Sequence, residues 1–154
     1  MSKIITIIIL SLSLLLAPAA YAGGPHPAKS PDARQLMGIE ESLYQGKHYR
    51  PARWETFRRC VIHRESRGNY RAANKRSSAR GAYQFLDRSW RESLVWMLLP
   101  EHRKQGLAAE VRALRDKPIH EWNRYWQDAA FWTVIMASPN NWRHWRGGSC
   151  DRLV

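Results

Sequence analysis

The chain has 154 residues, with 25 Lys and Arg set against 13 Asp and Glu for a formal net charge of +12 at pH 7. That length holds one domain at most, and the positive excess points to a polyanionic partner. The six histidines include no HExxH pairing, and there is no Walker loop and no nucleophile elbow. Metallohydrolysis, phosphoryl transfer and hydride transfer are therefore set aside, and neither a metal nor a cofactor is expected.

Taken in order, the chain opens MSKIITIIILSLSLLLAPAAYA: Lys3, an apolar run from Ile4 to Ala17, then Ala20-Tyr21-Ala22 as a small-x-small cleavage site. This predicts a signal peptide over residues 1–22. The run is shorter than the roughly 20 residues of a spanning helix, so no membrane span is expected after cleavage, and the product is secreted, periplasmic or wall-associated. Its removal takes away one lysine and no acid, leaving 24 basic and 13 acidic residues, net +11 over 132. For an exported chain such a charge favours an anionic cell wall over nucleic acid, with a plainly solvated basic surface as the alternative. Residues 23–50 contain three prolines, scattered charge and little apolar periodicity, and read as a flexible linker.

From Pro51 the pattern changes. Trp54, Phe57, Cys60 and Val61 share a face at helical spacing, with Arg53, Arg58 and Arg59 turned away, which predicts a helix over residues 52–64 and sets Glu65 at its C-terminal end. A polar loop from Ser66 to Arg80 leads to Gly81-Ala82-Tyr83-Gln84-Phe85. Asp87 is expected to cap a helix that aligns Trp90, Leu94 and Met97 and stops at Pro100. A charged helical stretch over residues 101–117 is interrupted by Gly106. Ile119, Trp122, Trp126, Ala129, Thr133 and Met136 then recur at intervals of three and four, predicting one buried helix whose tryptophans belong to the core. After Pro139 comes a polar aromatic tail containing Trp142 and Trp145, which either border a cleft or pack around a disulfide.

Glu65 is the candidate acid. A carboxyl beside a polar turn, with an aromatic and an amide returning from the far side, makes a sugar cleft. Acid catalysis of glycoside cleavage needs a carboxyl that keeps its proton near neutral pH in partly apolar surroundings. Gln84 offers both a donor and an acceptor, which suits the hydroxyl and N-acetyl groups of an amino sugar. The plain alternatives are a Glu65 paired with Arg64 or Arg67, a surface Gln84, and Tyr83 and Phe85 as ordinary core aromatics.

Glu65-Ser66, Gly68-Asn69-Tyr70, Gly81-Ala82-Tyr83-Gln84-Phe85 and Trp90 together resemble the transglycosylase-like, lysozyme-like domains. The nearest likeness is to the resuscitation-promoting factors, followed by the soluble lytic transglycosylases. It runs from about Trp54 to Cys150, strongest over residues 64–90, and returns in Gln127-Asp128-Ala129-Ala130 with Trp142, Trp145 and Cys150. The resemblance implies a mainly α, lysozyme-like catalytic domain over residues 51–154, Glu65 as catalytic acid, and Gln84 lining the cleft. Ser66, Asn69, Tyr83, Trp142 and Trp145 join Gln84 as candidate substrate-binding residues.

The resemblance also supports a Cys60–Cys150 disulfide, which an oxidising compartment favours. Closing a loop of about 90 residues is worth roughly 4 kcal/mol in the chain-entropy model. Two departures stand out. Cys60 lies five residues before Glu65 rather than one, a shift of about one helical turn, and the loop lacks the Ser-Pro of the soluble transglycosylases. The implied activity is cleavage of the β-1,4 bond between N-acetylmuramic acid and N-acetylglucosamine in peptidoglycan glycan strands. None of Asp87, Glu92, Glu121 or Asp128 sits where the family motif would place a second carboxylate, so the implied product is a 1,6-anhydro end, with a hydrolytic muramidase kept open. A non-catalytic, cationic wall-binding module of the same fold is the alternative.

Overall fold

The computed structural model describes residues 36–154. The expected signal peptide and residues 23–35 lie outside the described residues. Among these, four α-helices carry the fold: α1 (Arg53–Ser66), α2 (Asp87–Lys104), α3 (Ala108–Ala113) and α4 (Arg124–Ala137). A minimal antiparallel hairpin of β1 (Ala79–Arg80) and β2 (Phe85–Leu86) joins α1 to α2, with Ala79 opposite Leu86 and Arg80 opposite Phe85. Short 3-10 turns at Leu114–Asp116, Ile119–Glu121, Asn141–Trp145 and Ser149–Leu153 fill the connections and the tail. A mainly α chain is what the periodicities predict.

Helix α4 is the axis. Every residue from Arg124 to Ile135 is buried, as expected of a helix surrounded by other elements. The predicted helix from Ile119 is broken, however: Ile119–Glu121 is a separate turn, Trp122 and Asn123 are extended, and α4 begins only at Arg124. The break has a local cause, because the Asn123 carboxamide accepts from Trp126 N at 3.1 Å and so caps the helix. Trp122 and Trp126 do belong to the core.

Around α4 stands an aromatic cluster. Tyr83 stacks on Phe131 at 4.5 Å between centroids, and Trp145 meets Phe131 at 4.9 Å and Phe85 at 5.3 Å. Each ring contributes about 1.5–3 kcal/mol by burial.

Helix α1 runs to Ser66 rather than Arg64, so Glu65 lies inside its last turn. Arg67 then adopts a left-handed conformation that ends the helix. Arg58 was expected to face solvent but is fully buried. Position 58 follows Trp54 by four residues and so shares its face. Its guanidinium is accommodated there by Glu55 (2.7 and 2.9 Å), the Tyr83 hydroxyl (3.1 Å) and Asp128 (3.6 Å).

Helix α2 differs at both ends from its prediction. Asp87 is its first residue rather than its cap, and its carboxylate accepts from Ile119 N at 2.8 Å. Pro100 lies inside the helix, which continues to Lys104. The carbonyl that Pro100 leaves without a donor is that of Trp96. Both residues face outward, so water can serve that carbonyl.

Residues 36–50 were expected to be linker, and a strap packed on the helices is found instead. Tyr44 is fully buried and its hydroxyl donates to Glu101 at 2.6 Å. Buried polar groups of the helices take up the strap backbone. Asp128 accepts from Leu43 N at 3.0 Å, Arg124 donates to the Glu40 and Glu41 carbonyls at 3.0 and 2.5 Å, and Trp132 Nε1 donates to Ser42 Oγ at 3.0 Å. The strap also meets the loop after α1, where Gly38 N donates to the Gly68 carbonyl and Tyr70 N to the Leu36 carbonyl.

Candidate functional site

The C-terminal end of α1 meets the tail of the chain. Cys60 and Cys150 form a disulfide with their Cα atoms 5.7 Å apart. One helical turn further on, Arg64 faces the same way. Its Nη2 donates to the Trp145 carbonyl at 2.5 Å and its Nη1 to the Gly147 carbonyl. The same guanidinium holds Glu65, whose Oε1 accepts from Arg64 Nε at 3.1 Å and Nη2 at 2.8 Å. Glu65 is thus paired as well as positioned, with 27% of its side chain exposed. Gly147 is fixed from its other side, because its N–H is shared by both carboxylate oxygens of Asp151 at 2.9 Å.

The hairpin presents the second half of the site. At Gly81, φ is +76° and an added Cβ would collide with the Gln127 side chain, so the turn needs glycine. Gln127 fixes this turn by accepting from Ala82 N at 2.8 Å while donating to the Tyr70 and Trp122 carbonyls. Gln84 is itself left-handed, with φ +52°, and its side-chain amide donates to the Gly81 carbonyl at 2.8 Å. A non-glycine residue held in that conformation stores about 1–3 kcal/mol of strain and marks a candidate functional position. Gln84, Phe85, Leu86, Trp90, His144 and Trp145 line a depression of about 360 Å³. Trp90 meets the His144 ring edge-on at 4.7 Å, and Trp145 Nε1 donates to the Tyr83 carbonyl at 2.8 Å.

The candidate residues divide accordingly. Gln84 and Trp145 line the depression; Glu65 does not, but is joined to its wall through Arg64 and the Trp145 carbonyl. Tyr83, expected at the substrate, is instead a core residue with no exposed surface, and its hydroxyl donates to Asp128 at 2.6 Å. Burial pushes the phenols of Tyr83 and Tyr70 well above the usual tyrosine range, and the Asp128 carboxylate raises them further. Trp142 is half-buried against the core under Arg143, away from the lining of the depression. Ser66 donates to the Ile62 carbonyl at 3.2 Å, and Asn69 accepts from Arg71 N at 2.8 Å in a local turn. Both therefore shape the loop after Glu65.

The plain alternative of a Glu65 paired with Arg64 is what the structure shows, whereas Leu86, His144 and Asp151 were not singled out from the sequence as parts of this end of the molecule. Of the four carboxylates weighed as a second acid, Asp87 is taken by Ile119 N, Glu92 by Arg115 at 2.7 Å and Asp128 by the buried network, while Glu121 borders a different depression. A roomier depression of about 710 Å³ is lined in part by Glu110, Lys117, Glu121 and Trp126. It holds none of the candidate residues.

No helix among the described residues is long and apolar enough to cross a membrane. No family model matches the chain, and no curated protein or solved structure matches it.

Proposed function

We propose that this chain is an exported, lysozyme-like enzyme that cleaves the β-1,4 bond between N-acetylmuramic acid and N-acetylglucosamine, with Glu65 as its acid. One observation carries this reading. Glu65 is tied by a single guanidinium to the wall of an aromatic depression that also holds the strained Gln84. Trp90, partly exposed at the depression, offers an apolar face to a sugar ring over a floor that includes the buried Trp145, and Gln84 and His144 offer polar groups to its substituents.

In this mechanism Glu65 gives a proton to the glycosidic oxygen as the bond to C1 breaks. The resulting carboxylate takes the proton of the muramic acid 6-hydroxyl while that oxygen bonds to C1, leaving a 1,6-anhydro end. A hydrolytic muramidase requires a second carboxylate roughly 5–9 Å from the first. A strongly basic surface suits approach to an anionic wall.

The resting ion pair between Glu65 and Arg64 favours a second reading, a wall-binding module that does not turn over. The deciding experiment is mass spectrometry of material released from purified peptidoglycan by the mature chain and by Glu65→Gln. Anhydro-muropeptides from the wild type alone are expected. Reducing-end products would indicate a hydrolase. A chain that pellets with the wall and releases nothing would refute the enzyme and leave the module.

A further inference from the structure

We propose that Arg64 is the positioning residue of Glu65, tying the carboxylate to the tail that forms the wall of the depression. The inference rests on the reading of Glu65 as the acid. A surface ion pair between sequence neighbours contributes at most about 1 kcal/mol and imposes little order. Arg64 does more than pair: all three of its guanidinium nitrogens are used, on Glu65 Oε1 and on the carbonyls of Trp145 and Gly147. A planar fork fixes direction as well as distance, which a lysine ammonium does not.

The tail it grips is anchored independently. Cys150 is bonded to Cys60 one turn before Arg64, Asp151 holds Gly147 N, and the Trp145 indole is pinned to the Tyr83 carbonyl next to Gln84. Glu65 is in this way referenced to Trp145, Gln84 and His144, although it lines no part of the depression itself.

Arg64 fixes where Glu65 Oε1 stands relative to the tail, and both the proton transfer to the leaving oxygen and the proton transfer from the 6-hydroxyl depend on that position. Misplacing a reacting group by about 1 Å costs on the order of 100-fold.

The test compares the full mature chain with Arg64→Ala, Arg64→Lys, Asp151→Ala and the Arg64→Ala/Asp151→Ala pair. Muropeptide release is measured with and without added guanidinium chloride, and hydrogen exchange is followed at Gly147. Arg64→Ala is expected to lower kcat by about 100-fold with KM little changed, to recover several-fold with guanidinium, and to speed exchange at Gly147. Lysine should restore part of the rate. Because Asp151 acts on the same loop, the double variant should be no slower than Arg64→Ala alone.

An active wild type whose Arg64→Ala form is equally fast, or is slow but unmoved by guanidinium, would overturn the positioning role. Unchanged exchange at Gly147 would overturn the clamp whatever the activity. If the wild type releases nothing, the glycosidase reading falls and the positioning role with it, and the exchange result then reports on the clamp separately.

Discussion

Removing the Cys60–Cys150 bridge is the most quantitative perturbation this fold allows. The bridge spans 90 residues of sequence, and in the chain-entropy model closing such a loop in the unfolded chain is worth about 4.6 kcal/mol at 25 °C. For a domain of this size that corresponds to a fall in Tm of roughly 15–20 °C. The suitable variant is Cys60→Ala/Cys150→Ala, because a serine at the fully buried position 150 would add an unpaired hydroxyl. The double variant and the wild type, oxidised and reduced, are compared by urea unfolding. The variant and the reduced wild type should agree to within about 1 kcal/mol, the small void left at position 150 accounting for the difference. Cys150 lies in the tail turn Ser149–Leu153, so hydrogen exchange is needed to tell a global loss from local peeling of the tail. A loss below about 1 kcal/mol, or one confined to exchange in the tail, would refute the view that the bridge acts on the whole unfolded chain.

Replacing Asp128 by alanine leaves the buried guanidinium of Arg58 without one carboxylate and Arg124 without its buried one; a loss of about 3–5 kcal/mol in chemical unfolding is expected, and less than 1 would show the network to be redundant. Gln84→Gly should be neutral to stabilising by up to about 1 kcal/mol, since glycine accepts the left-handed backbone without strain. Muropeptide release should nevertheless fall with it, and an unchanged rate would remove Gln84 from the site. The raised phenols of Tyr70 and Tyr83 give an alkaline signature. Their folded values lie above the unfolded value of about 10, so the stability they confer is complete below pH 10 and is lost as pH climbs past it. Phenolate absorbance from these two rings should appear only with unfolding, which the Tyr70→Phe and Tyr83→Phe variants would verify.

Periodic burial was readable from the amino-acid sequence. The apolar spacing of Trp54, Phe57 and Val61 marked α1 and put Glu65 at its end, the spacing from Trp126 onward marked the buried α4, and two cysteines in a chain with an export-like start marked a bridge. These features repeat along one element, and such repeats survive in a linear text.

What the tertiary structure decided is where polar groups spend their hydrogen bonds. Arg58 and Asp128 look like surface charges in sequence, yet they are buried because Glu55, Tyr70, Tyr83 and Arg124 converge on them from distant positions. The strap over residues 36–50 lacks periodicity because it is held through its backbone by those same buried groups. Tyr83 and Gln84 are neighbours in sequence, but the left-handed turn at Gln84 leaves one ring in the core and puts the amide at a depression. Glu65 meets the tail only because Arg64 and a disulfide bring residues 145–151 back to α1. Local spacing dictates which face of an element is apolar; the partners of a charge are chosen by the whole chain, because an unpaired charge in the interior costs more than any local preference can supply.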